Sequence, residues 1–298
     1  MGDIYASGIR EYSYDKVFGN TEKADFPARF ELDKEISVKN QMLGDREIMA
    51  CAACAIASAA EYMWEKDFSE GYAYARLRSD MYNKPGLYLS IALDMWRKKG
   101  IALLSDFGTL EEMPKIKEIV DKLPELDEKA QKWKIGGHAS LDYSDRDKKD
   151  NAIKDALMRD KVPLIACSDS YFAGNHAFLI VGWNDENNSY IYQNSYGRDF
   201  GENGRSEIPK AHVDDVYAVF AKEAELPFKD VEKERWSYKD IRNMYMAGII
   251  NGTSENTFEP ERAITREEAA AMLNRLAEKM DEKLERIYKQ INERFSDV

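Results

Sequence analysis

Ile48-Met49-Ala50-Cys51-Ala52-Ala53-Cys54-Ala55-Ile56-Ala57-Ser58-Ala59-Ala60-Glu61-Tyr62-Met63-Trp64 decides how this chain is read. Alanine is the strongest helix former, and almost nothing in the stretch is polar. The reading is a buried helix whose small side chains let neighbouring backbones come close. Two cysteines lie in its first turns. A thiol near a helix N-terminus feels the partial positive charge there, which favours the thiolate.

Outward from this helix, the first half of the chain is helix-rich and the second half strand-rich. Leu87 to Lys99 reads as an amphipathic helix stopped by Gly100. Lys115 to Lys134 is charged, with Pro124 interrupting any single long helix. Asp150 to Arg159 reads as a short helix, and Asp145 to Asp150 as a solvated turn. Val162 to Cys167 reads as a strand. Ala177 to Trp183 and Ser189 to Asn194 read as a hairpin joined by Asn184-Asp185-Glu186-Asn187-Asn188. Helices followed by strands predict an α+β fold with two lobes. Residues 1–45 read as an extended arm.

Hydrolysis by a thiol needs a base and donors for the developing oxyanion. His176 opens an apolar strand among small residues, where it can meet a thiol across a cleft. Asn194 ends the paired strand, where its side-chain carbonyl can orient the imidazole. Cys51 and Cys54 both remain candidates at this level. Cys167 reads as a small buried hydrophobe. His138 and His212 read as surface residues. The three histidines share no ligand spacing, so neither a metal nor another cofactor is expected.

In these motifs the chain resembles the papain family of cysteine peptidases. Pro27-Ala28-Arg29-Phe30-Glu31-Leu32 is similar to the family's mature N-terminal segment. Ser37-Val38-Lys39-Asn40-Gln41 is similar to the stretch that carries its oxyanion Gln. Cys51 with Ala53 and Glu61 falls in register with the family's nucleophile helix; placing the nucleophile at Cys54 breaks that register. Asn175 to Trp183 resembles the catalytic His strand. Asn194-Ser195-Tyr196-Gly197, followed by Phe200-Gly201-Glu202-Asn203-Gly204, resembles the family's Asn-Ser-Trp-Gly segment and its sequel. The resemblance implies a two-lobed peptidase, a helical lobe beside an antiparallel β lobe, acting on a protein or peptide. Cys51 is then nucleophile, His176 base, Asn194 its orienter, and Gln41 an oxyanion donor. Three departures stand out. The stretch from Gln41 to Cys51 is longer than in the family, Tyr196 replaces a Trp, and Ala52 replaces another. They keep open a different class of function, a catalytically silent scaffold used for binding or as a phage structural protein.

A second pattern runs from Phe228-Lys229-Asp230-Val231 through Trp236 and Ala247-Gly248-Ile249-Ile250-Asn251-Gly252. It continues through Thr257-Phe258-Glu259-Pro260 to Ile264-Thr265-Arg266-Glu267-Glu268-Ala269-Ala270. It reads as helix, loop, helix, with Trp236 and Tyr238 opening the first helix and Thr265 and Glu268 a capping box on the second. It resembles one S-layer homology (SLH) repeat, a family that binds cell-wall polysaccharide of Gram-positive bacteria. The expected division is a peptidase domain over 1–224 with its core at 27–220, a small all-α module over 228–277, and a helical tail over 278–298. Met280, Leu284, Ile287, Ile291 and Phe295 recur along that tail at spacings that suit either a homo-oligomeric seam or docking on its own domain.

Composition bounds the rest. The 298 residues carry a net charge of -12. An acidic surface repels phosphate backbones, so nucleic acid is not an expected partner. Three cysteines give no disulfide framework. Met1 to Tyr5 lacks the charged-then-apolar start of a secretory signal, and no apolar run approaches a membrane span. Location stays open between cytoplasm, phage particle and cell wall.

Overall fold

The computed structural model describes residues 12–19, 25–33, 37–43, 46–80, 89–110, 122–141, 143–172 and 174–295. In chain order these form β1 (Tyr12–Ser13), α1 (Tyr14–Phe18), β2 (Arg29–Glu31), β3 (Met42–Leu43), β4 (Arg46–Glu47), α2 (Cys51–Trp64), α3 (Glu70–Asp80), α4 (Leu89–Lys99) and α5 (Leu104–Phe107). There follow α6 (Leu123–Ala130), β5 (Gly137–Ser140), α7 (Arg146–Asp160), β6 (Leu164–Ser168), β7 (His176–Asn184), β8 (Ser189–Gln193), β9 (Arg205–Pro209), β10 (Val216–Phe220), α8 (Tyr238–Met246) and α9 (Arg266–Phe295). The chain forms two compact units, one over residues 21–223 and one joining residues 1–20 to 224–298.

The larger unit is α+β. Its antiparallel sheet runs β5-β10-β6-β7-β8-β9, with β2 also paired to β7. The hairpin β7–β8 turns at residues 185–188 and pairs Leu179 with Gln193, which sets Asn194 just past the end of β8. All nine residues of β7 are buried, so its run of apolar side chains reflects cover on both faces. β2 crosses β7 so closely that a Cβ on Gly182 would sit 2.2 Å from the Phe30 carbonyl oxygen. Only glycine fits there. Phe30 stacks on Trp183 at 4.8 Å beside it.

The alanine-rich α2 is buried from Cys51 through Tyr62 and packs on both α3 and β7. Its small side chains permit contact on every side, as its composition predicts. α4 ends at Gly100, whose φ of +86° and closeness to the Ala130 carbonyl exclude any side chain. Leu87 and residues 115–121 of the expected helices lie outside the described residues.

Two expectations about the larger unit are corrected. The charged cluster at Asp145–Asp150 is not a turn but the start of α7. The Asp145 carboxylate accepts from the N–H groups of Asp147 and Lys148 at 2.9 and 3.1 Å, the N-cap bond a helix start requires. His138 is buried in β5 rather than on the surface, set edge-on to Tyr217.

The smaller unit has its own core of Phe228, Val231, Ile241, Ala247, Ile249 and Ile250. Asp230 accepts from the N–H groups of Phe258 and Glu259 at 3.0 and 2.7 Å, which ties its first residues to the central loop. The capping box is formed: Glu268 accepts from Thr265 N–H at 2.8 Å and donates its own N–H to Thr265 Oγ1 at 3.1 Å. Trp236 is 86% exposed and precedes α8 rather than opening it. Lys16, from α1, joins this unit by donating to Asn251 Oδ1 at 2.7 Å. α9 continues unbroken through the expected tail as far as Phe295. Met280 and Leu284 face solvent on it, and the side chains of Ile287, Ile291 and Phe295 lie outside the described residues.

Candidate active site

Cys51 is the first residue of α2. No side chain caps that end, where Ala50 holds the N-cap position, so the first-turn N–H groups carry the helix's positive end without a local acceptor side chain. Cys51 is 8% exposed and Cys54, one turn deeper, 1%. Burial pushes the Cys54 thiol well above its usual range, with Glu70 and Cys51 adding to the rise and Lys39 opposing it.

Cys54, Ala55 and Ser58 line a narrow seam with Ala177, Phe178 and Leu179 of β7 and with Asn194 and Ser195. The first turns of α2 therefore lie against the His176 end of β7. His176 Nε2 and Asn194 Oδ1 are 2.6 Å apart, and both residues are buried. The direction of that bond follows from a second one. Ser195 donates its backbone N–H to the same Asn194 oxygen at 2.8 Å, so the atom there must be the acceptor end of the amide. His176 Nε2 consequently carries a proton, which leaves Nδ1 as the nitrogen that can exchange one. The ring contacts Tyr196, stacked at 5.2 Å and 19°, and Phe172, tilted at 4.5 Å. Tyr196 thus supplies the aromatic cover that the family resemblance gives to Trp.

Gln41 is fully buried. Ser195 fixes it twice: Gln41 N–H donates to the Ser195 carbonyl at 2.8 Å, and Ser195 Oγ donates to Gln41 Oε1 at 2.6 Å. The amide's donor end is thereby turned away from Ser195. The extra length between Gln41 and Cys51 forms the hairpin β3–β4, with Met42 opposite Glu47 and Leu43 opposite Arg46. The added residues close on themselves, so Gln41 keeps its place beside Ser195.

A buried ion cluster holds the same segment from below. Lys39 Nζ donates to Glu61 Oε1 at 2.6 Å and to the Phe68 carbonyl at 2.9 Å, and lies 3.3 Å from Glu70 Oε2. Ser37 Oγ donates to the other oxygen of Glu61. Burial alone would lower the Lys39 pKa, but Glu70 and Glu61 outweigh it and the net shift is upward. Glu61 marks the register of α2 in the sequence; that it anchors Lys39, two residues from Gln41, is visible only in the fold. Lys39→Met leaves two buried carboxylates without their cation and should cost about 3–5 kcal/mol of stability, the usual result of removing one partner from a buried pair. Denaturant unfolding measures this, and a change under 1 kcal/mol, on the order of a surface pair, would show that the cluster holds nothing in place.

No group of His, Cys, Asp and Glu among the described residues is arranged to hold a metal ion. No helix among them is long and apolar enough to cross a membrane.

Comparison with solved structures bears on the fold. Xylellain, a cysteine protease from Xylella fastidiosa, superposes with a TM-score of 0.55 at 19% identity, covering 72% of this chain and 92% of that one. The fold is papain-like. Procathepsin L2 of the Tenebrio molitor larval midgut (TM-score 0.51, 17% identity, 74% of this chain and 76% of that one) agrees. So does the ragweed pollen protease Amb a 11 in its proform (0.51, 17%, 74% and 73%). The papain-like unit is followed by residues 227–270, which match the S-layer homology domain family. Over 64 residues the chain is 41% identical to an endoglucanase of Bacillus sp. (strain KSM-635), covering 22% of this chain and 7% of that one. Over 57 residues it is 35% identical to outer membrane protein alpha of Thermotoga maritima (strain ATCC 43589 / DSM 3109 / JCM 10099 / NBRC 100826 / MSB8), covering 19% and 14%. The chain thus spans only a small part of either relative's length.

Proposed function

We propose that the papain-like unit is a cysteine peptidase and that its SLH module positions it on cell-wall polysaccharide. The observation that carries the catalytic reading is the His176–Asn194 bond with its direction fixed by Ser195. It leaves the Nδ1 lone pair as the base for a thiol at the start of α2. In this reading Cys51 transfers its proton to His176, and the thiolate attacks the scissile carbonyl. The oxyanion takes hydrogen bonds from the Cys51 backbone N–H and the Gln41 side-chain amide. His176 then protonates the leaving amine, and water hydrolyses the thioester with His176 as base again. Cys54 is a poor alternative nucleophile, because its burial holds the thiol neutral. A thiol-directed probe tests the reading. At neutral pH it should label Cys51 alone and fast; slow, unselective labelling would indicate a silent scaffold.

The oxyanion role gives a second expectation. Gln41→Ala should lower kcat about 100- to 1000-fold, the usual loss for one oxyanion donor. Ser195→Ala removes the bond that orients Gln41 and should lower kcat by a smaller factor with KM little changed. Full activity in Gln41→Ala would remove it from the site.

For the module, the full chain should sediment with purified Gram-positive cell walls, and a chain of residues 21–224 should not, while keeping kcat on a small peptide. Equal wall binding by both would end the anchoring role. A fall in mass by light scattering instead would make the module an assembler of copies.

A further inference from the structure

Cys51 and Cys54 stand three residues apart at the start of α2, with only Ala52 and Ala53 between them. Helical geometry sets their Cα atoms about 5 Å apart, inside the roughly 4.4–6.8 Å that a disulfide spans. Neither is in a disulfide. Their surroundings differ in a useful way. Cys51 sits at the helix mouth, and Cys54 is sealed one turn behind it, close enough for the charge of Cys51 to act on it. Ala50 caps the helix with no side-chain bond, and the first turn is tied back by the Cys54 N–H bond to the Ala50 carbonyl at 2.9 Å. A thiol on the first residue of a helix, backed one turn on by a more deeply buried one, has the arrangement of an attacking with a resolving cysteine.

We propose that Cys51 and Cys54 form a reversible oxidation switch, in which a hydroperoxide oxidises Cys51 and Cys54 closes a disulfide that silences the site and protects it. The proposal rests on the reading of Cys51 as a thiolate nucleophile. In the first step the Cys51 thiolate attacks one peroxide oxygen. The S–O bond forms, the O–O bond breaks, and hydroxide leaves (alkoxide, from an organic hydroperoxide). Sulfur loses two electrons to become the sulfenic acid, and the peroxide is reduced. In the second step the Cys54 sulfur attacks the Cys51 sulfur. The S–S bond forms, the S–O bond breaks, and the departing hydroxide takes the Cys54 proton as water. A small dithiol reopens the bridge by exchange and is itself oxidised to its disulfide.

The test uses the full chain and hydrogen peroxide. After exposure, free thiols are blocked with iodoacetamide, disulfides are reduced, and the released thiols are labelled with N-ethylmaleimide. Trypsin yields residues 47–66 as one peptide holding both cysteines, read by mass spectrometry. The expected wild-type result is two maleimides on that peptide, with peptidase activity lost and then restored by dithiothreitol. In Cys54→Ala, Cys51 should instead gain two or three oxygens, and dithiothreitol should restore nothing. Wild-type peptide in which Cys51 carries those oxygens and Cys54 still takes iodoacetamide overturns the switch alone. Cys51 that stays fully alkylatable under peroxide in both chains overturns the thiolate reading and the switch with it. The wild-type mass result decides the matter even if Cys54→Ala fails to fold.

Discussion

Cys51→Ser should abolish peptide hydrolysis, with kcat down roughly 10⁴-fold or more, as when the nucleophile of a Ser or Cys protease is removed. The reason is ionisation. A thiol at an uncapped helix N-terminus can be held as thiolate by an imidazole, whereas a serine hydroxyl there stays protonated and depends wholly on general-base help in a site built around a larger atom. The substitution is nearly isosteric at a position 8% exposed, so the fold should survive, and an unchanged unfolding midpoint is the control. Cys54→Ser should keep substantial activity. If Cys51→Ser hydrolyses peptide at the wild-type rate and Cys54→Ser does not, the nucleophile has been misplaced by one turn.

His176→Ala should cost almost as much, roughly 10³- to 10⁴-fold, since the proposed mechanism gives the thiol proton to this imidazole. Asn194→Ala should cost less, about 10- to 100-fold, the range seen when the hydrogen-bond partner orienting a functional imidazole in a metal site is removed. The ordering is the test. Without Asn194 Oδ1 the imidazole can carry its proton on either nitrogen, and the fraction with Nδ1 free falls. Tyr196 and Phe172 still hold the ring plane, so the loss is one of tautomer and rotation. Equal losses in both variants, or no loss in either, would contradict these roles.

Much of this site is legible in the sequence because its parts sit at element ends. Cys51 begins a helix whose alanines announce it. His176 and Asn194 lie across a hairpin whose turn residues are plain. What the sequence hides is the support. Lys39, Glu61 and Glu70 meet only once α2 and α3 have packed, and nothing in their spacing marks a cluster. Phe172 reaches His176 from a loop without periodicity. His138 looks like a surface residue beside two glycines because burial depends on strand neighbours, which local sequence does not encode. The start of α7 was readable after all: Asp145 is a regular N-cap residue, outweighed by the charge around it.

The hairpin β3–β4 has a consequence for how such a site can change. Gln41 is held by Ser195 and, through Lys39, by α2; the link to Cys51 only has to leave and return. Chain length between the two is therefore a free variable, tolerant of insertion at small entropic cost because its ends are already clamped. The β3–β4 segment is a graft point where a loop, tag or reporter domain could be spliced ahead of Cys51 while Gln41 stays where it is.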